Sequence, residues 1–359
     1  MRKVTWRGRN HLEFVADDIA PPSSVLAGEV LVRVSAAGIC STDIHIVEGK
    51  VQFAPPPLVL GHEFAGRVEA CGPAITSVKP GDRVKCDSVV GCGRCAWCAQ
   101  GSAQFCAQSS EFGITRDGAW AEWIVVPERN LHRLPESIPD DVAAILDPEV
   151  YGPLRKAGIS PGDTVAVFGP GPAGLIATQI AHVLGAARVI LCGTRAERLA
   201  LGARLGADYT INTKDGDPVA AIRSLTGGRG VDVVFEAAGS EAAVLQSLEV
   251  LRPQGKAILY GVHGRRLREF PVDSIVLRDL VVYGALADRV GWEEMIDLVA
   301  SGRLDLNSII THRFPLECTA AACRLVRDRS QGAIKAVLEI ARPGAAVTPA
   351  VEASVAACE

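Results

Sequence analysis

The chain has 359 residues, 48% hydrophobic and 22% charged, with a formal net charge of −4. That length predicts two domains, and that composition excludes a disordered protein. A small net charge without a basic stripe argues against a nucleic-acid partner, and no apolar run approaches the ~20 residues of a membrane helix. The N-terminal MRKVTWRGRNHLEFV lacks the apolar stretch of a signal peptide, so a cytoplasmic protein is expected.

Residues 1 to about 150 read as short strands broken by Gly and Pro: GEVLVRVSAAG, AGRVEACG, GDRVKC and AEWIVVP. Such a run predicts a β-rich barrel or sandwich. Inside it lie Cys40, in GICSTDIH, and His62-Glu63, in LGHE. A thiolate and an imidazole are good zinc ligands, and a catalytic zinc takes about three protein ligands and keeps one position open. The third ligand must come from elsewhere. Asp147, in ILDPEVYGP, is the choice, with Glu149 as its neighbouring rival.

Between these pieces Cys92, Cys95, Cys98 and Cys106 read C-x2-C-x2-C-x7-C. Four thiolates this close can enclose one tetrahedral zinc with no open position, which is a structural site. The chain has 11 cysteines, and metal ligation is expected in place of disulfides. The remaining six (Cys71, Cys86, Cys192, Cys318, Cys323 and Cys358) read as ordinary thiols.

From about residue 160 the rhythm changes. TVAVFG leads into helix-like AGLIATQIAHVLG, and RVILCG leads into ERLALGARLG. YTINT, VDVVFEAAG, GKAILYG and LVVYGALA follow, giving six strands with intervening helices. Alternation of this kind predicts a doubly wound parallel sheet and an α/β fold class. After about 287 comes a helix, GWEEMIDLVASGRL, then HRFPLE, a further helix and the strand IKAVLEI, a stretch expected to rejoin the first domain. The predicted division is 1–153 with 287–342, 154–286, and a loose tail 343–359.

At the end of the first strand of the second domain, Gly169-Pro170-Gly171-Pro172-Ala173-Gly174 is G-x-G-x-x-G opening a helix. In that context it predicts a dinucleotide site. Gly169 permits the turn, Gly171 lets the diphosphate approach, and Gly174 lets the helix pack. The next strand ends in Gly193-Thr194-Arg195, where an NAD site usually carries Asp or Glu. A small residue, a hydroxyl and a guanidinium suit a 2′-phosphate, so NADP(H) is expected over NAD(H). Arg198, one turn on, adds charge, and Gly261, after GKAILY, completes the cofactor set.

GICSTDIH, GHEFAGRV, the four-cysteine loop, DGAWAEWIVVP and GPGPAG together resemble the zinc-dependent medium-chain dehydrogenases/reductases, of the sorbitol and threonine dehydrogenase type. The resemblance implies a GroES-like catalytic domain, a Rossmann domain and a cleft between them. It also implies a homodimer or homotetramer paired through the last strand of the nucleotide sheet. Two zinc ions per chain follow, with Cys40, His62 and Asp147 at the catalytic one and Glu63 beside it. Aspartate at 147 departs from the glutamate of sorbitol-type members, although related NADP-linked secondary alcohol dehydrogenases use aspartate there. Asp43 is expected to orient His62, and Thr42 and His45 to relay the substrate proton. His263 is the one other histidine expected to approach the nicotinamide. The implied activity is hydride transfer between NADP(H) and a secondary alcohol or polyol, or its ketone or aldehyde. Alternatives are a sorbitol-, threonine- or amino-sugar-type dehydrogenase using NAD, and a zinc-free enoyl or quinone reductase on the same fold. The substrate pocket is expected near Thr42, the LGHE turn, Phe112, Trp120, Tyr151 and residues 284–292.

Overall fold

A computed structural model describes residues 1–16, 25–264, 266–267 and 269–340. They form two compact units. The first contains Met1–Asp147, Trp292–Ala300 and the described residues from Leu306 on; the second contains Pro148–Gly291 and Ser301–Asp305. Two joins lie a few residues from the expected 153/154 and 286/287, and Ser301–Asp305, expected in the first domain, falls in the second unit. Helix Tyr151–Ala157 packs on helix Pro172–Val183 and on strand Leu251–Leu259, so it belongs with the second unit. Gly291 lies under the Tyr151 ring, where a Cβ would stand 2.4 Å from a ring carbon, and this keeps residues 287–291 in the same unit. The tail 343–359 lies outside the described residues.

The first unit is built on a seven-stranded sheet. Its order is Leu131–Arg133, Arg83–Cys86, Phe64–Cys71, Glu29–Ile39, Lys335–Glu339, Ile310–Pro315, with Trp123–Pro127 also paired to the Glu29 strand. Val30, Val32 and Val34 alternate into the core with Phe64, Phe112 and Trp120, as a half-buried strand requires. The last strand pairs antiparallel with Ala36–Ile39, so a C-terminal segment lies beside the strand that delivers Cys40. An N-terminal hairpin, Arg2–Gly8 and His11–Ala16, was not expected, because charged residues interrupt its apolar pattern. Its Val4 and Trp6 nonetheless enter the core.

The second unit carries the expected six parallel strands. Edge to edge they run Tyr209–Asn212, Arg188–Gly193, Thr164–Phe168, Val231–Glu236, Leu251–Leu259 and Val281–Gly284. Strands Thr164–Phe168 and Val231–Glu236 are buried along their whole length, which is why their apolar residues do not alternate with exposed polar ones. The strand order reverses between these two. Ligands of doubly wound sheets bind at the carboxyl ends beside such a reversal. This is the α/β arrangement, β-rich unit plus Rossmann sheet, that the sequence predicts.

Candidate active site

Cys40 and His62 are brought together by one antiparallel pair. Ala37 is opposite Phe64, and Gly38 N donates to Glu63 O at 2.7 Å. Continuing that register past the strand ends sets residues 38–40 against residues 63–61. Cys40 then caps helix Ser41–Val47, and its N–H donates to Asp43 Oδ2 at 2.8 Å. The fully buried Asp43 turns its other oxygen to His62 Nδ1, 3.3 Å away. One carboxylate thus ties the cysteine backbone to the histidine ring and leaves Nε2 free to bind a metal. Gly61 sets the turn before His62. Its φ is +94°, and a Cβ there would stand 2.3 Å from Trp120 Cδ1, so only glycine fits.

The ligand atoms of Cys40, His62 and Glu63 all lie within 4.8 Å of one another. Sulfur, nitrogen and oxygen at that separation are the donors a zinc ion takes. Asp147, the expected third ligand, closes the first unit just after helix Asp140–Ile145 and is not in this group, nor is Glu149. The third member of this group is Glu63, which directly follows His62 at the same strand end. Thr42 Oγ1 is 3.8 Å from Cys40 Sγ, and His45 lies exposed on the same helix.

The charges around the group are unusual for a core. Lys335 Nζ sits 2.5 Å from Glu63 Oε1, and both side chains are largely enclosed. Lys85 is fully buried; its Nζ donates to Ala144 O at 2.8 Å and lies 5.9 Å from the Trp292 ring centre. Burial favours the neutral acid at Glu63, but the Lys335 ammonium, followed by His62 and Lys85, overrides it and holds the carboxyl below its ordinary range. Burial likewise disfavours the His62 imidazolium, yet Asp43 and Cys40 raise the ring well above its ordinary value. A cation entering here displaces that proton.

The second cysteine group also closes as predicted: Cys92, Cys95, Cys98 and Cys106 present their sulfurs within 4.8 Å of one another. Cys92 N and Gln108 N both donate to Cys106 Sγ at 3.4 Å, and these amides lower its pKa. Amides of Arg94 and Cys95 pull Cys92 down to about 6. Backbone donors aimed at Cys92 and Cys106 favour their thiolates, the form that binds zinc; at Cys98 the Gly93 amide acts in the same direction, but burial and the neighbouring sulfurs outweigh it and push the thiol up to about 11. Gly91 lies against the group, where a Cβ would meet Cys98 Sγ at 2.6 Å. Cys71, Cys86, Cys192 and Cys323 are free thiols, whereas Cys318 is disulfide-bonded, contrary to expectation. Cys358 lies outside the described residues.

In the second unit Gly169 turns at φ +101°, and helix Pro172–Val183 begins from Gly171 with proline at its first position. A Cβ on Gly174 would stand 1.9 Å from Gly169 O, so the helix start packs directly on the turn. A Cβ on Gly171 would meet nothing within 4 Å. That open space before a helix N-terminus fits a diphosphate. Strand Arg188–Gly193 delivers Thr194, exposed, and Arg195, half-buried, with Arg198 one turn into the next helix. Among the described residues no hydrogen bond or ion pair engages the Arg195 side chain. Gly261 packs on Gly239, where a Cβ would stand 2.4 Å from its N.

Residues 26–136 match the family described as alcohol dehydrogenase GroES-like domain, and residues 172–301 match zinc-binding dehydrogenase. The chain is 34% identical over 330 residues to L-threonine 3-dehydrogenase of Bacillus licheniformis, covering 88% of this chain and 93% of that one. The chain belongs to the zinc-binding medium-chain alcohol dehydrogenases. D-arabitol-phosphate dehydrogenase of Enterococcus avium is 32% identical over 322 residues, covering 88% of this chain and 91% of its own. Among solved structures, alcohol dehydrogenase TADH from Thermus sp. ATN1 shares 34% identity at a TM-score of 0.87, covering 95% of this chain and 100% of its own. A zinc-binding dehydrogenase of Sinorhizobium meliloti 1021 bound to NADP shares 31% at 0.87, covering 94% and 99%. An alcohol dehydrogenase of Escherichia coli CFT073 complexed with NADH shares 28% at 0.86, covering 95% and 99%.

Three features of this dehydrogenase depart from the sequence reading. Phe112 and Trp120, expected at the pocket, are fully enclosed core residues: Phe112 meets Phe64 edge-on at 5.9 Å, and Trp120 Nε1 donates to Gly38 O. Lys335 and Lys85 drew no notice, since a lysine in a strand reads as a solvated side chain. Glu236 was also missed. It is buried at the end of strand Val231–Glu236, and its Oε1 accepts from Ala238 N at 2.8 Å and Gly239 N at 2.9 Å. Burial pushes its carboxyl up in spite of those amides. His263 Nδ1 lies 3.0 Å from Gly239 O, so the two loops that carry these residues are joined at the carboxyl end of the sheet.

Proposed function

We propose that this dehydrogenase is zinc-dependent and NADP(H)-preferring, and that it interconverts a secondary alcohol or polyol with its ketone or aldehyde. The observation that carries the reading is the convergence of Cys40, His62 and Glu63. A zinc held there supplies Lewis-acid polarisation of the substrate oxygen, and the nicotinamide supplies or accepts the hydride. The chain's own groups do the rest. Thr42 holds the substrate hydroxyl and takes its proton, and His45, exposed to water, passes the proton on. Asp43 fixes the His62 ring. Glu63, held by Lys335, would be the carboxylate of that site, with Asp147 or Glu149 proposed as a further ligand. The four-cysteine loop holds a second, structural zinc.

The preference for NADP(H) is supported by the strand end Gly193-Thr194-Arg195, which offers a guanidinium and no carboxylate. Gly169, Gly171, Pro172, Ala173 and Gly174 cradle the diphosphate, with Gly193, Arg198 and Gly261 nearby in the same reading. A homodimer or homotetramer is supported by the edge strand Val281–Gly284 and its neighbouring helix, on which Val276 is 70% and Leu277 83% exposed. Among the described residues no helix is long and apolar enough to cross a membrane; a cytoplasmic location is proposed because Cys40 and the four-cysteine loop need reduced thiols, although the Cys318 disulfide does not favour it.

A second reading is favoured by the relatives: an NAD-linked threonine- or polyol-type dehydrogenase. A zinc-free reductase of the same fold leaves the cluster without a role. Metal analysis with nucleotide titration and a panel of polyols, amino alcohols and ketones separates the three. The proposal expects two zinc ions per chain, tighter NADPH than NADH, and turnover of a secondary alcohol or ketone. Tighter NADH with threonine or polyol oxidation establishes the second reading. Full activity without metal at Cys40 refutes both.

A further inference from the structure

We propose that Pro170 is a determinant of nucleotide selectivity: its ring forbids any side chain at position 193, and so keeps out the carboxylate that would bind an unphosphorylated ribose. The inference rests on the NADP(H) reading above and deepens it. Position 193 ends its strand 193 − 174 = 19 residues beyond the last glycine of the turn, about where an NAD site places its Asp or Glu. A Cβ built on Gly193 would stand 2.3 Å from Pro170 Cδ and 2.4 Å from Pro170 Cγ. The next neighbour, Leu199 Cδ2, is at 3.6 Å, an ordinary contact. The whole obstacle is therefore the proline ring.

Neither partner has room to yield. Pro170 Cδ is closed onto its own backbone nitrogen and cannot rotate away. The backbone before it is held, since Gly169 N donates to Cys192 O at 2.9 Å and a Cβ on Gly169 would stand 2.8 Å from Ala238 N. After it, Gly174 packs on Gly169 O. On the other side, Cys192 is in register with Phe168, and Gly193 O accepts from Thr213 N at 2.8 Å. Exchange of cofactor preference through residue 193 alone is thus blocked by shape as well as by charge. Room for a carboxylate opens only when the ring at 170 is removed.

The test uses the zinc-loaded protein and dissociation constants for NADPH and NADH from nucleotide fluorescence. The variants are Gly193→Ala, Pro170→Ala, the pair combined, and Gly193→Asp with and without Pro170→Ala. Thermal melts accompany each. Gly193→Ala is expected to weaken both nucleotides by at least about tenfold, and Pro170→Ala/Gly193→Ala to bind within about threefold of Pro170→Ala. Gly193→Asp alone should bind both poorly, while the Asp variant lacking the ring should prefer NADH. A Gly193→Ala protein that folds only when Pro170 is also replaced supports the proposal equally. Wild-type NADPH affinity in Gly193→Ala, or a loss of binding or folding that Pro170→Ala does not relieve, overturns it. Should the wild type prefer NADH, the NADP(H) reading fails, but the alanine cycle still reports the clash by itself.

Discussion

Replacing Lys335 with Met tests the electrostatics of the candidate zinc site most directly. The ammonium lies 2.5 Å from Glu63, and the two side chains are 8% and 13% exposed. Methionine keeps the stem's volume and apolar contacts, so the change isolates the charge. Removing one member of a buried pair leaves the other uncompensated, at a cost of about 3–5 kcal/mol. Lys85 still faces Glu63, which places the metal-free protein toward the lower end. A bound zinc compensates the carboxylate as well, so the loss should be smaller when zinc is present. In the wild type Glu63 is held below its ordinary value, so its contribution is present above that value and lost as pH falls through the depressed one. In Lys335→Met burial dominates, the carboxyl is raised, and the penalty is relieved as pH falls through the raised value. Denaturant unfolding of wild type, Lys335→Met, Glu63→Gln and the double variant, with and without zinc, reads these terms. The gap between wild type and Lys335→Met should narrow on acidification, and the double variant should regain most of the loss. A Lys335→Met loss below about 1 kcal/mol, or one that Glu63→Gln does not relieve, refutes the reasoning.

Cys40→Ser should lower the zinc content by one ion per chain and abolish turnover while NADPH binding persists, as metal analysis beside a nucleotide titration will read. Arg195→Ala should weaken NADPH by about 10- to 100-fold, the range of a lost charge-assisted contact, and NADH by less than about threefold; equal losses count against the 2′-phosphate role. Cys95→Ser should depress the melting temperature and release the structural zinc before it alters the turnover of the folded fraction. Leu277→Glu on the exposed helix beside the edge strand should reduce the particle mass in light scattering to that of a smaller species; an unchanged mass removes that face from the assembly.

Much of the second unit was legible because its signals are local. Apolar runs bounded by glycines locate the starts of five of the six strands within a residue; VDVVFEAAG and LVVYGALA run three residues past the observed strand ends, and the fifth strand begins at Leu251, earlier than GKAILYG implied. The glycine turn announces itself because tight turning, phosphate approach and helix packing are separate demands met within six residues. The first unit was harder. The N-terminal hairpin hid behind its arginines and lysines, and helix Ser41–Val47 was too short to show periodicity. Aromatic residues near the zinc motifs read as pocket walls, whereas Phe112 and Trp120 fill the core beneath the turn.

By itself the sequence determined that this protein has two cysteine-bearing groups of candidate metal ligands and a glycine turn of the dinucleotide type, because spacing of a few residues already limits which atoms can converge. Only tertiary structure decided which carboxylate joins Cys40 and His62. The carboxylate within 4.8 Å of both is that of Glu63, since strand pairing sets residue 63 beside residue 38 whatever lies downstream. Tertiary structure alone also brought Lys335 across 272 positions to that carboxylate. A contact of that range depends on which strand ends up beside which, and no local pattern in the chain encodes it.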